Sequence, residues 1–186
     1  MIDYLEIIKK YYAEGSDAYN LLVTHSRQVA ELAVALLERK PELNISRDFV
    51  YEAAMLHDIG MLRTNAPSIF CYGELPYLRH GVEGRKILDS LGLEKHGLVC
   101  ERHTGAGLTA QEIVEQHLPL EPRDMLPLTL EEKLVCYADN FYSKSHVAPA
   151  KKLDDVVKSM SKYGAGTIER LNEMVELFGS PDGLKM

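Results

Sequence analysis

Apolar residues along this chain recur at spacings of three and four, a rhythm that predicts α-helices. The longest stripe holds Leu22, Val29, Leu32, Ala33 and Leu36. It predicts a helix from about Ala18 to Arg39, capped by Ser16 or Asp17 and stopped by Pro41. A shorter helix precedes it, from Tyr4 to Tyr12, with Leu5, Ile8 and Tyr12 on one side and Gly15 at its end. Val50, Ala53, Ala54 and His57 share the face of a third helix, capped by Ser46 or Asp48 and ended by Gly60. Residues 62–78 lose the rhythm and read as a binding loop, a lid or a packed connector. Helical spacing returns over Arg79 to Leu91, Leu93 to His103 and, briefly, Thr109 to His117. Thr129 starts a clear helix with Glu132 at the capping-box position and Leu134, Val135, Ala138 and Tyr142 facing inwards. Two amphipathic helices close the chain, Ala150 to Lys162 and Gly166 to Phe178. No stretch alternates as a strand would. The expected class is all-α, a helical bundle of about eight to ten helices.

Composition narrows this picture. A chain of 186 residues, 46% hydrophobic and 26% charged, reads as one globular domain over 1–186. Its core would run from about 18 to 142, with capping helices at about 150–178. The net charge of −7 argues against a nucleic-acid polymer or a membrane surface as partner, but not against a small anion. Cys71, Cys100 and Cys136 are odd in number and widely spaced, which excludes a disulfide framework and a zinc–thiolate site. The N-terminus carries acids where a signal peptide would carry bases, and no apolar run approaches the length of a membrane span. The expected location is the cytoplasm. The last two helices can cap the core or pair with a second chain as a homodimer.

Polar residues interrupt the inward faces at particular places. His25 stands three after Leu22 and four before Val29. His57 ends its apolar face and Asp58 follows at once. His80 opens the next helix, His103 follows Val99 and Cys100, and Asp139 lies four after Val135. A single buried histidine is ordinarily a satisfied core residue. Five separate placements point instead to convergence on metal ions in a bundle core. Four imidazoles and two carboxylates suit iron, manganese, nickel or zinc better than calcium or magnesium. Six ligands exceed the needs of one tetrahedral zinc, so two ions bridged by one carboxylate is the economical arrangement, with Asp58 as the bridge.

The order His … His-Asp … His … His … Asp resembles the HD-domain superfamily of metal-dependent phosphohydrolases. Thr24-His25-Ser26-Arg27, Met55-Leu56-His57-Asp58-Ile59-Gly60 and Tyr137-Ala138-Asp139-Asn140 carry the likeness, which covers about 18–142. His80 and His103 resemble the binuclear subgroup, which includes symmetrical dinucleoside tetraphosphate hydrolases, cyclic-dinucleotide phosphodiesterases and some di-iron oxygenases. The resemblance implies two divalent ions per chain, iron first, with manganese, nickel or zinc as alternatives. His25, His57, Asp58 and Asp139 would hold one; Asp58, His80 and His103 would hold the other. It further implies a metal-held hydroxide that attacks a phosphoester or phosphoanhydride, with a phosphorylated nucleotide as substrate.

The chain departs from that pattern at two points. Met61 stands where many members carry a lysine near the scissile phosphate, so Arg63, Arg79, Arg102 or Lys144 would have to supply the charge. Of these, Lys144 and Arg102 join Asp58 as the catalytic candidates, Lys144 because it follows Asp139 at a helix end. Thr104 replaces the second histidine of the cyclic-dinucleotide enzymes, and their Gly-Tyr-Pro signature is absent, which argues against that substrate. Two alternatives of other classes stay open: a mixed-valence di-iron oxygenase, and a non-catalytic binding module.

Overall fold

A computed structural model describes residues 2–144 and 149–184. Three helices make its centre. Helix α2 (Asp17–Glu38) starts where the Ser16 hydroxyl accepts from the Tyr19 amide, and α3 (Arg47–Leu56) where Ser46 accepts from Phe49. The third is α7 (Leu130–Asp139), with Thr129 as its cap. Leu22, Val29, Leu32 and Leu36 of α2 meet Val50, Ala53 and Ala54 of α3 and Leu134, Val135 and Ala138 of α7, all fully buried. The alanines keep this face of α3 low, so the backbones approach closely. Before them, α1 (Tyr4–Lys9) starts at Asp3, whose carboxylate accepts from the Glu6 amide.

Around the centre lie α4 (His80–Asp89), α5 (Glu94–Arg102), α6 (Ala110–Glu115), α8 (Leu153–Met160) and α9 (Ala165–Phe178). Leu171, Met174 and Phe178 of α9 cover α7, and α8 packs on α9 with Val156 fully buried. The Tyr137 ring meets Phe141 edge-on at 5.0 Å, and its hydroxyl donates to the Gly179 carbonyl. Among the described residues the fold is all-α, apart from one two-stranded hairpin.

That hairpin corrects the expectation of no strands. β1 (Asn65–Ala66) pairs antiparallel with β2 (Cys71–Tyr72). Between them Pro67 opens a 3₁₀ turn that Phe70 closes in the left-handed region, at φ 60°. Two residues per strand leave no alternation to read. Gly60 is a second correction. The chain does not stop there but runs on as a 3₁₀ turn, Ile59–Arg63. Glycine is required for another reason: a Cβ at residue 60 would lie 2.1 Å from the His80 carbonyl oxygen and 2.3 Å from the Gly84 nitrogen. Glu132 is a third. Its amide bonds Thr129, but its carboxylate turns to Arg102 and the Leu128 amide. The reciprocal capping box lies instead at Thr109 and Glu112, at the start of α6.

Candidate metal centre

Six side chains, most of them from the ends of helices, meet in one place. His25 projects from within α2. His57 caps the C-terminus of α3, and His103 that of α5. His80 opens α4, and Asp139 ends α7. The last carbonyls of a helix lack amide partners. Two of these histidines use that vacancy: the His57 Nδ1–H donates to the Ala54 carbonyl at 2.6 Å, and the His103 Nδ1–H to Cys100 at 2.7 Å. The His80 Nδ1–H also donates to a carbonyl, that of Tyr77, at 2.8 Å. A carbonyl can only accept, so Nδ1 carries the proton in all three. In the neutral ring each Nε2 then offers its lone pair to the centre, the arrangement metal-binding imidazoles need.

Asp58 lies at the middle and is fully buried. Its Oδ2 is 3.3 Å from His25 Nε2 and 3.2 Å from His57 Nε2. Its Oδ1 is 3.4 Å from Nε2 of both His80 and His103. Asp139 Oδ1 completes the first group, 2.9 Å from His25 Nε2 and 3.4 Å from His57 Nε2. Thus His25, His57, Asp58 and Asp139 form one set and Asp58, His80 and His103 another, the candidate ligand atoms of each set lying within 4.8 Å of one another.

Three observations fit this donor set to divalent cations. Buried His57 Nε2 and Asp58 Oδ1 make no hydrogen bond within the protein, which is costly without a further partner. His80 and His103 face each other Nε2 to Nε2 at 3.1 Å, two lone pairs that only a shared cation or a proton reconciles. Burial holds the His80 imidazole neutral, pushing its pKa down to about 3. The first set is the more acidic one. Burial alone would lower the His57 pKa, but Asp58 and Asp139 outweigh it and raise it to about 10. Imidazoles and carboxylates with two separate foci are the chemistry of a borderline transition metal.

Lys144 reaches this cluster. Its Nζ is 2.8 Å from Asp58 Oδ2 and 3.7 Å from Asp139 Oδ1. Burial would lower its pKa, yet Asp139 and Asp58 raise it well above the ordinary lysine value. Against burial, Lys144 in turn holds both carboxyls well below the usual range. Arg102 is not brought here: its guanidinium is bound to both carboxylate oxygens of Glu132, at 3.1 and 2.9 Å. Arg79 pairs with Glu83, and Arg63 lines a separate open cleft beside Glu74 and Glu83.

Tyr77 has a larger part than its sequence position suggested. Its ring stacks on His80 at 4.7 Å, its hydroxyl donates towards Met61 Sδ at 3.8 Å, and Lys144 hydrogen-bonds to it. Met61 is thus packed against the residue that meets Lys144. A tyrosine three before a ligand histidine was the available signal, but aromatic residues in loops are commonly packing.

Fold and site together define a helical domain built around a histidine–aspartate metal centre. The HD-domain family model matches residues 22–143, and the chain belongs to that family. Among similar proteins, the uncharacterised protein MJ0778 of Methanocaldococcus jannaschii is 38% identical over 160 residues, 85% of this chain and 82% of that one. Two tRNA (cytidine(56)-2′-O)-methyltransferases also match. That of Picrophilus torridus is 30% identical over 86% of this chain and 43% of its own length. That of Thermoplasma volcanium is 34% identical over 86% and 40%. The chain therefore spans less than half of either methyltransferase. In fold it is similar to the HD domain of the Listeria monocytogenes phosphodiesterase PgpH, with a TM-score of 0.53, 14% identity and coverage of 94% of this chain and 96% of that one. The same domain in complex with cyclic-di-AMP gives a TM-score of 0.53 at 15% identity, covering 94% and 95%.

Proposed function

We propose that this protein is a metal-dependent phosphohydrolase that cleaves a phosphoester or phosphoanhydride bond of a nucleotide, using two ions of iron or manganese. Membership of the HD-domain family supports the class. The observation that carries the reading is the Lys144 ammonium 2.8 Å from Asp58, at the edge of a six-ligand donor set. His25, His57, Asp58 and Asp139 would hold one ion, and Asp58, His80 and His103 the other. When bound, such ions supply Lewis acidity and draw the pKa of water towards neutrality.

The chain's own residues set the rest. Asp58 divides its two oxygens between the two groups, which fixes their separation. The carbonyls of Ala54, Tyr77 and Cys100 lock three imidazoles in one tautomer, so no reorganisation is needed when charge develops. Lys144 presents a cation to a non-bridging phosphate oxygen, replacing the lysine that Met61 displaces. Tyr77 lies against that ammonium. Three buried free thiols agree with a reducing, cytoplasmic setting.

The test is metal content per chain with phosphate release. Protein purified without an affinity tag is expected to carry two equivalents, and Asp58→Ala to lose both metals and turnover. Retained turnover in that variant, or oxygen uptake by the reduced iron form without phosphate release, would overturn the reading.

A further inference from the structure

Asp58 Oδ1, the oxygen turned to His80 and His103, makes no hydrogen bond within the protein. Its aim must come from the backbone that carries it. Before the His57–Asp58 pair, the Leu56 carbonyl accepts from Cys100 Sγ at 3.1 Å. After the pair, the Met61 amide donates to the Asp58 carbonyl at 3.0 Å and the 3₁₀ turn Ile59–Arg63 begins. That turn is the less secure side, because hydrogen bonds within a 3₁₀ helix have poorer geometry than those of an α-helix.

Tyr12 secures the turn from outside. Its hydroxyl donates to the Ile59 carbonyl at 3.0 Å and accepts from the Leu62 amide, also at 3.0 Å. One oxygen thus ties together two points of the turn three residues apart. Tyr12 is buried, and burial pushes its pKa well above the ordinary phenol value, so the hydroxyl keeps the proton it donates. Tyr12 is itself braced. Its amide donates to the carbonyl of fully buried Ile8 in α1 at 2.9 Å, and further upstream the Ile2 amide donates to Glu52 Oε1 of α3 at 2.9 Å. All of these N-terminal residues precede residue 22, where the HD-domain match begins. A segment outside the matched region therefore reaches the residue next to the central carboxylate.

The two ligand groups do not depend on this turn equally. The group of His25 and His57 has two carboxylates, Asp58 and Asp139, whereas the group of His80 and His103 has Asp58 alone. The same turn abuts the start of α4, where a Cβ at residue 60 would lie 2.1 Å from the His80 carbonyl oxygen. A turn that drifts would misdirect the one carboxylate of the second group and press on the backbone of one of its imidazoles.

We infer that Tyr12 is a positioning residue of the metal centre: its hydroxyl bridges the Ile59 carbonyl and the Leu62 amide, and thereby fixes the aim of Asp58 towards His80 and His103. The inference rests on the two-ion reading proposed above and goes beyond it, since Tyr12 acts through the backbone of the turn and not as a ligand.

The experiment titrates the metal-stripped full chain with manganese(II) and follows the free ion by electron paramagnetic resonance. Wild type is expected to take two equivalents and then to show the spin-coupled signal of a carboxylate-bridged pair. Tyr12→Phe keeps the ring and removes the hydroxyl. It is expected to weaken the second equivalent roughly tenfold, the lower end of the loss for outer partners of metal ligands, and to diminish the coupled signal while the first equivalent stays in place. Tyr137→Phe is the matched variant. It also removes a tyrosine hydroxyl, one that donates to the Gly179 carbonyl at 3.0 Å, and should lower the Tm while leaving both equivalents and the coupled signal as in wild type. Wild-type affinities and an undiminished coupled signal in Tyr12→Phe would overturn the inference, whatever its Tm, and leave the two-ion reading standing. Equal weakening in Tyr137→Phe would also overturn it, since the effect would then be one of general stability. Wild type that takes no second manganese would overturn the two-ion reading and the role of Tyr12 together.

Discussion

At the scale of single residues, Lys144 and Arg102 show what position in a sequence can and cannot convey. Both adjoin ligand-bearing stretches. Successive helical residues point about 100° apart, so the neighbour of an inward histidine is turned away from the same centre. Arg102, one before His103, follows that rule and finds Glu132 instead. Lys144 lies past the end of α7, where the chain is free to turn back on Asp139 and Asp58. The six ligand-type residues were legible because each interrupts or terminates an apolar stripe. Tyr77 was not, because its partners Lys144 and Met61 are distant in sequence. Lys144→Met is expected to lower kcat/KM by about 10²–10³, the usual loss for one preorganised charge donor, with both metals retained. Steady-state kinetics with metal analysis on the same sample checks this, and loss of the metals would make Lys144 a structural residue.

At the scale of elements, helix boundaries were read to within a few residues, while the reason for several glycines was not. Gly60 looked like punctuation. Its real constraint is the contact of the turn after Asp58 with the start of α4, which a sequence pattern does not display. Gly60→Ala should push α4 outwards and move His80 with it. The expected outcome is one metal equivalent lost, that of Asp58, His80 and His103, with the other retained and a lower Tm. The attachment of α9 makes a second case. Arg170 Nη2 donates to both oxygens of Glu112, at 2.7 and 2.9 Å, while its Nε and Nη2 hold two loop carbonyls. Arg170→Met should cost about 1.5–3 kcal/mol, the range for hydrogen bonds to charged groups. Burial alone would raise the Glu112 pKa, but Arg170 and the Thr109 amide hold it below the ordinary value. A lowered folded pKa gives stability that is present above the unfolded value, about 4.3, and lost as pH falls through the folded one. The Tm difference between wild type and Arg170→Met should therefore be full near pH 6 and shrink in acid. A gap constant down to pH 3 would show that packing, not the ion pair, holds α9.

At the scale of the whole molecule, the all-α class was legible because the three- and four-residue rhythm persists through every long element. The hairpin between α3 and α4 was not, since two-residue strands carry no period. The ion pair between Lys144 and the central carboxylates also bears on the order in which this protein is made. Zinc fingers cannot fold until metal arrives, because the metal supplies the folding energy. Here a cation already belongs to the chain. Asp58 and Asp139 meet an ammonium as soon as the end of α7 forms, so the bundle can close around neutralised carboxylates before any ion is delivered. On the proposed function, synthesis and metal loading become separate events, and a newly made chain folds before its centre is loaded. Chelator-stripped wild type should accordingly unfold cooperatively, below the loaded Tm. Stripped Lys144→Met should be weaker by on the order of 3 kcal/mol, a deficit that added metal removes.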